Sequence, residues 1–248
     1  MTGAMAFLRK EFHEILRTYK IYVIPAIFLL MGFFSPLVAK FTPEIVKSMA
    51  PKMQGFSFTL PPPSAVDAYA QLLKNYNQID LLVLIFSMMG LVVEEKVRGT
   101  AALLLVKPVS RRSFIVDKYL ASAVLVAVAT LLSYLACLYY TIILFQEALL
   151  ARSAQAVLLV FIHYLFILSL VVFASTVSRS TAVAGAVSVG GLFLFSLLTS
   201  FGGWLGENTP GSLSAWENKL LAGRAVLGDA LPALGITLGL ALFLLGAA

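Results

Sequence analysis

Hydrophobic and polar positions alternate on two scales along this chain. On the coarse scale, long apolar runs are separated by short charged stretches. Residues 21–39 hold nineteen positions without a charge and 119–145 hold twenty-seven. Nineteen residues of helix are roughly 28 Å long, enough with their flanks to cross a hydrocarbon core of about 30 Å. On the fine scale, Met5, Leu8, Phe12, Ile15, Leu16 and Tyr19 recur at steps of three and four, while Arg9, Lys10, Glu14 and Arg17 fall mostly off that face. That pattern predicts an amphipathic helix over residues 1–20, lying in the membrane interface or capping the protein itself, two compatible placements. Its early charges leave no apolar core of the length a cleavable signal peptide needs.

The runs predict six spans, at about 21–39, 76–93, 119–145, 154–177, 181–201 and 230–248. Pro25 falls in the first turns of the first span, and Pro36 is expected to bend or end it. Residues 40–76 form a polar excursion stiffened by Pro61, Pro62 and Pro63. The second span is short, because only thirteen residues separate Asp80 from Glu94, so its helix is expected to begin near Asn75. Asp80 then lies a turn or more inside the boundary. It is either a polar residue lining a pathway at its outer end or an interfacial carboxylate paired with Lys74 or a lysine of the preceding loop, and the pairing is the favoured reading. Ala182, Ala186 and Gly190 make a small-residue stripe on the fifth span, and Gly235 and Gly239 make a weaker one on the last. Residues 202–224, broken by glycines and Pro210 and carrying Trp204 and Trp216, read as an interfacial segment. The fold class is an all-α integral membrane protein with six transmembrane helices and an N-terminal interfacial helix.

Composition narrows the function. The 248 residues are 60% hydrophobic and 12% charged, with a mean hydropathy of +0.94. Soluble domains carry about 25% charged residues, so the net charge of +6 reflects the distribution of loops and not binding of nucleic acid. Eleven Lys and Arg fall on the side of both termini and seven on the other, which predicts cytoplasmic termini. Cys137 stands alone, and His13 and His163 lack acidic or cysteine neighbours at ligand spacing. No metal site or disulfide is expected within the chain.

The most informative stretch is 94–118, EEKVRGTAALLLVKPVSRRSFIVDK, with six Lys and Arg between two apolar runs. Arg98-Gly99-Thr100 opens a short apolar piece that Lys107-Pro108 closes. A loop that only fixed topology would need the basic residues but not Gly-Thr, a leucine patch and Pro-Val-Ser. Glu95-Lys96, Gly99-Thr100, Leu103-Leu104, Pro108-Val109-Ser110-Arg111 and Lys118 together resemble the first cytoplasmic loop of the type-2 ABC transporter permeases.

The resemblance implies an exporter permease that works as a dimer in the plasma membrane of a prokaryote, in contact with membrane lipid. It implies a short cytoplasmic coupling helix around 99–107 that sits in a groove of a separate ABC ATPase. Leu103, Leu104 and Leu105 would supply apolar contact. Arg111 and Arg112 would meet acidic surface or lipid phosphate. Glu94 and Glu95, with Arg98 beside them, would pair at that interface or with the N-terminal helix. It also implies that residues 202–224 dip back into the membrane as two short helices.

No Gly-Lys pair occurs anywhere, so the chain has no P-loop. ATP and Mg are therefore expected in the partner subunit, with no cofactor in this chain. Three rival classes remain. Glu94-Glu95-Lys96-Val97-Arg98 approaches the Glu-Glu-x-x-x-Arg motif of intramembrane proteases, but the spacing is one short and no Phe-x-x-x-His follows. An ion-coupled secondary transporter favours ionisable residues in mid-membrane, whereas Asp80 and Asp229 are expected near span ends. A membrane anchor or sensor partner of an ATPase is the third.

Overall fold

The structure is a computed structural model that describes residues 3–49, 62–99 and 111–248, with side chains described for all of these but 3–8, 47, 49, 111 and 205. Among the described residues every regular element is helical. Six stretches are long and apolar enough to cross a membrane: Lys20–Val46, Ala65–Val97, Arg112–Phe145, Leu150–Val177, Thr181–Thr199 and Leu227–Ala247.

The N-terminal helix α1 (Gly3–Arg17) runs into α2 (Lys20–Met49) through a short turn. On α1, Ile15 packs against the protein while Leu16 stays exposed, as does Tyr19 in the turn that follows. The helix thus packs on the bundle and keeps an apolar edge outward. Helix α2 outruns the expected 21–39. Pro25, Pro36 and Pro43 all lie inside it, and Pro36 does not end it. A proline removes one backbone donor without forbidding the helix when packing holds both sides. Here Gly32 lets α2 approach closely, since a Cβ at that position would lie 2.3 Å from the Ser133 carbonyl oxygen.

The second span also begins earlier than its sequence suggests. Helix α3 (Ala65–Asn75) starts at Ser64, whose N–H and hydroxyl both donate to the Asp67 carboxylate at 2.8 Å. It widens into a π-helical turn at Tyr76–Asp80 and continues as α4 (Leu81–Met88). The extra turns remove the shortfall in length. They also put Asp80 midway along the Ala65–Val97 stretch instead of near its end. After a turn, α5 (Val93–Val97) closes this part.

Helix α6 (Arg111–Phe145) has 35 residues, roughly 52 Å. It starts eight residues before the expected 119, so its first turns project beyond a hydrocarbon core. Helix α7 (Leu150–Val177) is the most enclosed of the long helices, and α8 (Thr181–Thr199) starts at Ser180, whose Oγ accepts from the Val183 N–H. Residues 202–224 form two short helices, α9 (Gly203–Asn208) and α10 (Leu213–Leu221), before the last helix α11 (Leu231–Ala247).

The core sits where α2, α3, α4, α6 and α7 meet. Phe28, Tyr76 and Tyr164 form an aromatic triangle with centroids 5.7–6.2 Å apart. The Tyr164 hydroxyl donates to the Tyr76 carbonyl at 2.9 Å, inside the π-turn. That carbonyl also accepts from the Leu81 N–H, five residues on, so a second donor steadies the wide turn. Helices α8 and α11 turn Phe193, Leu194, Leu242 and Phe243 outward, as expected of spans that face lipid or another chain. The stripe of Ala182, Ala186 and Gly190 is likewise exposed, and among the described residues no atom lies within 4 Å of where a Cβ would stand on Gly190, Gly235 or Gly239.

Candidate functional site

The base of the 94–118 loop is organised around one ammonium group. Lys118 lies two turns into α6 and is buried. A buried charge at that depth needs partners, and two carboxylates supply them. Lys118 Nζ lies 2.9 Å from Glu11 Oε2 on α1 and 2.9 Å from Glu95 Oε1 on α5. Lys10, more exposed, closes the network at 3.0 Å from Glu11, 2.7 Å from Glu14 and 3.5 Å from Glu95. Burial works to lower Lys10, but its bonds to Glu14 and Glu11 raise it above the ordinary lysine value. Burial likewise works to raise Glu14, yet the Lys10 hydrogen bond and nearby Lys118 hold it below the ordinary carboxylate value.

Helix α5 is tied down on a second side. The chain breaks from helical pairing between α4 and α5, which frees backbone donors. The Val92 and Val93 N–H groups both donate to Ser175 Oγ of α7 at 3.0 Å. Lys96 donates to the carbonyls of Thr176 and Ser178. An ammonium there satisfies carbonyls at the end of α7 and complements the negative end of its dipole. The short helix at the loop's start is therefore joined to α1, α6 and α7 at once.

The sequence-selected residues separate into groups. Glu95 faces the network. Glu94 on α5 and Arg98 just past its end are exposed and 3.9 Å apart. Gly99 has φ +74°, with no atom of the described residues close to its Cβ direction, a left-handed step that glycine takes without strain. Thr100, Leu103, Leu104, Leu105 and Pro108 lie outside the described residues, as does the Arg111 side chain, while Arg112 is exposed. Glu11 and Ser175 were not selected from sequence. A Glu on the polar side of an amphipathic helix and a Ser near the end of a span carry no signal of their own.

Asp80 requires a correction. The favoured pairing with Lys74 is absent. Asp80 is fully buried with neither carboxylate oxygen hydrogen-bonded to any described residue, while Lys74 is exposed. The reason is the earlier helix start, which places Lys74 almost two turns away along the helix and turns Asp80 toward the bundle. Among the described residues, Glu11, Glu14 and Glu95 group closely enough to hold a cation. The Lys10 and Lys118 ammonium groups already bond to these carboxylates, so charge balance there needs no metal.

Comparison with known proteins finds a family and a relative. The family model described as "ABC-2 family transporter protein" matches residues 5–209. A relative, the uncharacterized transmembrane protein YxlG of Bacillus subtilis (strain 168), is 29% identical over 190 residues, covering 77% of this chain and 74% of that one.

Proposed function

Because the chain belongs to the ABC-2 transporter family, as the membrane-spanning permease component of an ABC transporter, we propose that it is coupled to a separate ATPase through the 94–118 loop, forms a dimer, and exports its cargo. The observation that carries this reading is the attachment of α5. The segment that leads into the loop is bonded to three other helices by Glu95, Ser175 and Lys96. A force applied at 99–110 by a closing ATPase therefore acts on α1, α6 and α7 together, not on a free loop.

The energy logic is that of a two-state equilibrium. ATP binding favours one arrangement of the ATPase pair, and the docked loop converts that preference into a preference between two arrangements of the membrane helices. The buried Lys118 node makes α1 and α5 move as one body with the start of α6, because separating either carboxylate from that ammonium leaves an uncompensated charge. Family resemblance supports the dimer and the outward direction. The exposed stripe of Ala182, Ala186 and Gly190, with no partner among the described residues, supports a second copy on α8. ATP and Mg belong to the partner subunit. The location is the plasma membrane of a prokaryote with both termini cytoplasmic, which the excess of Lys and Arg on that side supports.

The test is to express the chain with the ATPase encoded beside it, solubilise mildly, pull down on a tag here and weigh the complex. Two copies of each chain are expected. A lone permease under every nucleotide condition overturns the ATPase reading.

A further inference from the structure

Asp80 and Glu217 come from different parts of the chain, the π-turn and α10, and both are fully buried. Among the described residues neither Asp80 oxygen has a hydrogen-bond partner, and Glu217 Oε1 has none. Glu217 Oε2 accepts from Asn77 Nδ2 at 2.7 Å. His163 of α7 is buried as well, with Nδ1 unpartnered. It lines a cavity of about 120 Å³ together with Asn77, Phe195, Ser196, Gly211 and Ser214. Asn77 and Ser214 also line a wide, open groove with Lys74, Gln78 and Asn218. Asn77 and Ser214 are thus shared between the cavity and the groove.

Ionised carboxylates in such a setting need a counter-charge. No lysine or arginine among the described residues pairs with either one. Asn77 is bonded to Glu217, and the phenols of Tyr76 and Tyr164 lie close to Asp80. Those phenols already donate to the Thr130 and Tyr76 carbonyls. Lys74, the cation of the neighbouring groove, is exposed. Trp216 holds the Lys219 ammonium over its ring. A divalent metal is a poor fit, since it asks for several oxygen or nitrogen ligands at short range. Among the described residues no set of three acidic, histidine or cysteine side chains gathers here. Neutrality is reached most simply by protonation.

We propose that Asp80 and Glu217 are proton-binding sites of the transport cycle, each carrying a proton in this closed arrangement and exchanging it with the solution in the Lys74 groove when Asn77 and Ser214 part. Opening hydrates the two acids and favours their ionised form, and closing requires their reprotonation. Proton activity on the groove side then biases the same equilibrium that moves cargo. Glu217, which lies on α10 outside the six spans, fits this role. Burial pushes it up to about 8, although the Asn77 hydrogen bond works to lower it.

The site is tested on the full chain in nanodiscs without ATPase or cargo, so the result is independent of the coupling reading. The probe is dicyclohexylcarbodiimide, an apolar reagent that attacks protonated carboxyls. The acid proton passes to a carbodiimide nitrogen and the carboxyl oxygen bonds to its carbon. The acyl group then migrates from oxygen to nitrogen, leaving an N-acylurea with no atom lost. Mass spectrometry of peptides should find adducts on both Asp80 and Glu217. For a group titrating near 8, labelling of Glu217 should fall about tenfold between about pH 7 and about pH 9. Asp80→Asn and Glu217→Gln should each remove only their own adduct, and if either fails to fold the pH series on the unaltered chain decides. Absence of label on either carboxyl, or labelling that ignores pH, overturns the proposal.

Discussion

Lys118 Nζ and Glu11 Oε2 lie 2.9 Å apart across 107 positions of sequence, both side chains all but sealed from solvent. The pair joins the N-terminal helix to the start of the third span, and Glu95 adds the entrance of the loop to the same ammonium. Removing one member of a buried ion pair leaves the other charged and unpaired, at a cost of about 3–5 kcal/mol. Lys118→Met should therefore lower the melting temperature in detergent markedly. Arg98→Ala, which breaks an exposed contact to Glu94, should change it by less than about 1 kcal/mol equivalent. Equal melting shifts for the two variants would refute the assignment of Lys118 as the hub.

Replacing Leu103, Leu104 and Leu105 by Asp should release the ATPase from a tagged permease while the permease keeps its unaltered melting temperature and elution volume. The three leucines supply apolar contact in the proposed docking helix, and carboxylates in their place would enter that groove without partners. Undiminished copurification of the ATPase would place docking elsewhere.

Ser175→Ala should loosen the loop without touching it. Ser175 Oγ is the acceptor for the Val92 and Val93 N–H groups, and a buried donor left unsatisfied costs about 1–3 kcal/mol. Hydrogen exchange should accelerate at 92–97 and stay unchanged along α2. ATP hydrolysis by the complex should lose its dependence on cargo if α5 is the link. Unchanged exchange at 92–97 would show that other contacts hold α5.

Glu14 gives a pH prediction with a definite sign. Its folded carboxyl titrates below the ordinary value of 4.5, because the Lys10 hydrogen bond outweighs the burial that works to raise it. A depressed acid contributes stability above its unfolded value and loses it as pH falls through its folded value. The melting-temperature advantage of the natural chain over Glu14→Gln should be full at neutral pH and shrink to nothing as pH drops below 4.5. An advantage that grows on acidification would contradict the Lys10–Glu14 bond.

Six spans and the helical class were legible in the sequence, and so was the motif from which the loop is read. All three follow from local quantities: the length of apolar runs, the period of amphipathic positions, and a motif read within twenty-five residues. It also identified Glu95 and Lys118 as residues of that motif, but not their common partner Glu11. Span ends were less legible. The helical stretches at 20–49, 65–97 and 111–145 all extend past their apolar runs, because a helix that leaves the hydrocarbon can carry charges and even Pro43 without ending. Tertiary structure alone decided what Asp80 and Glu217 face. A carboxylate in a mostly apolar stretch has the same sequence signature whether a lysine neutralises it or the packed bundle buries it without a partner. Which of these holds depends on the packing of α3, α7 and α10, whose contacts are remote in sequence.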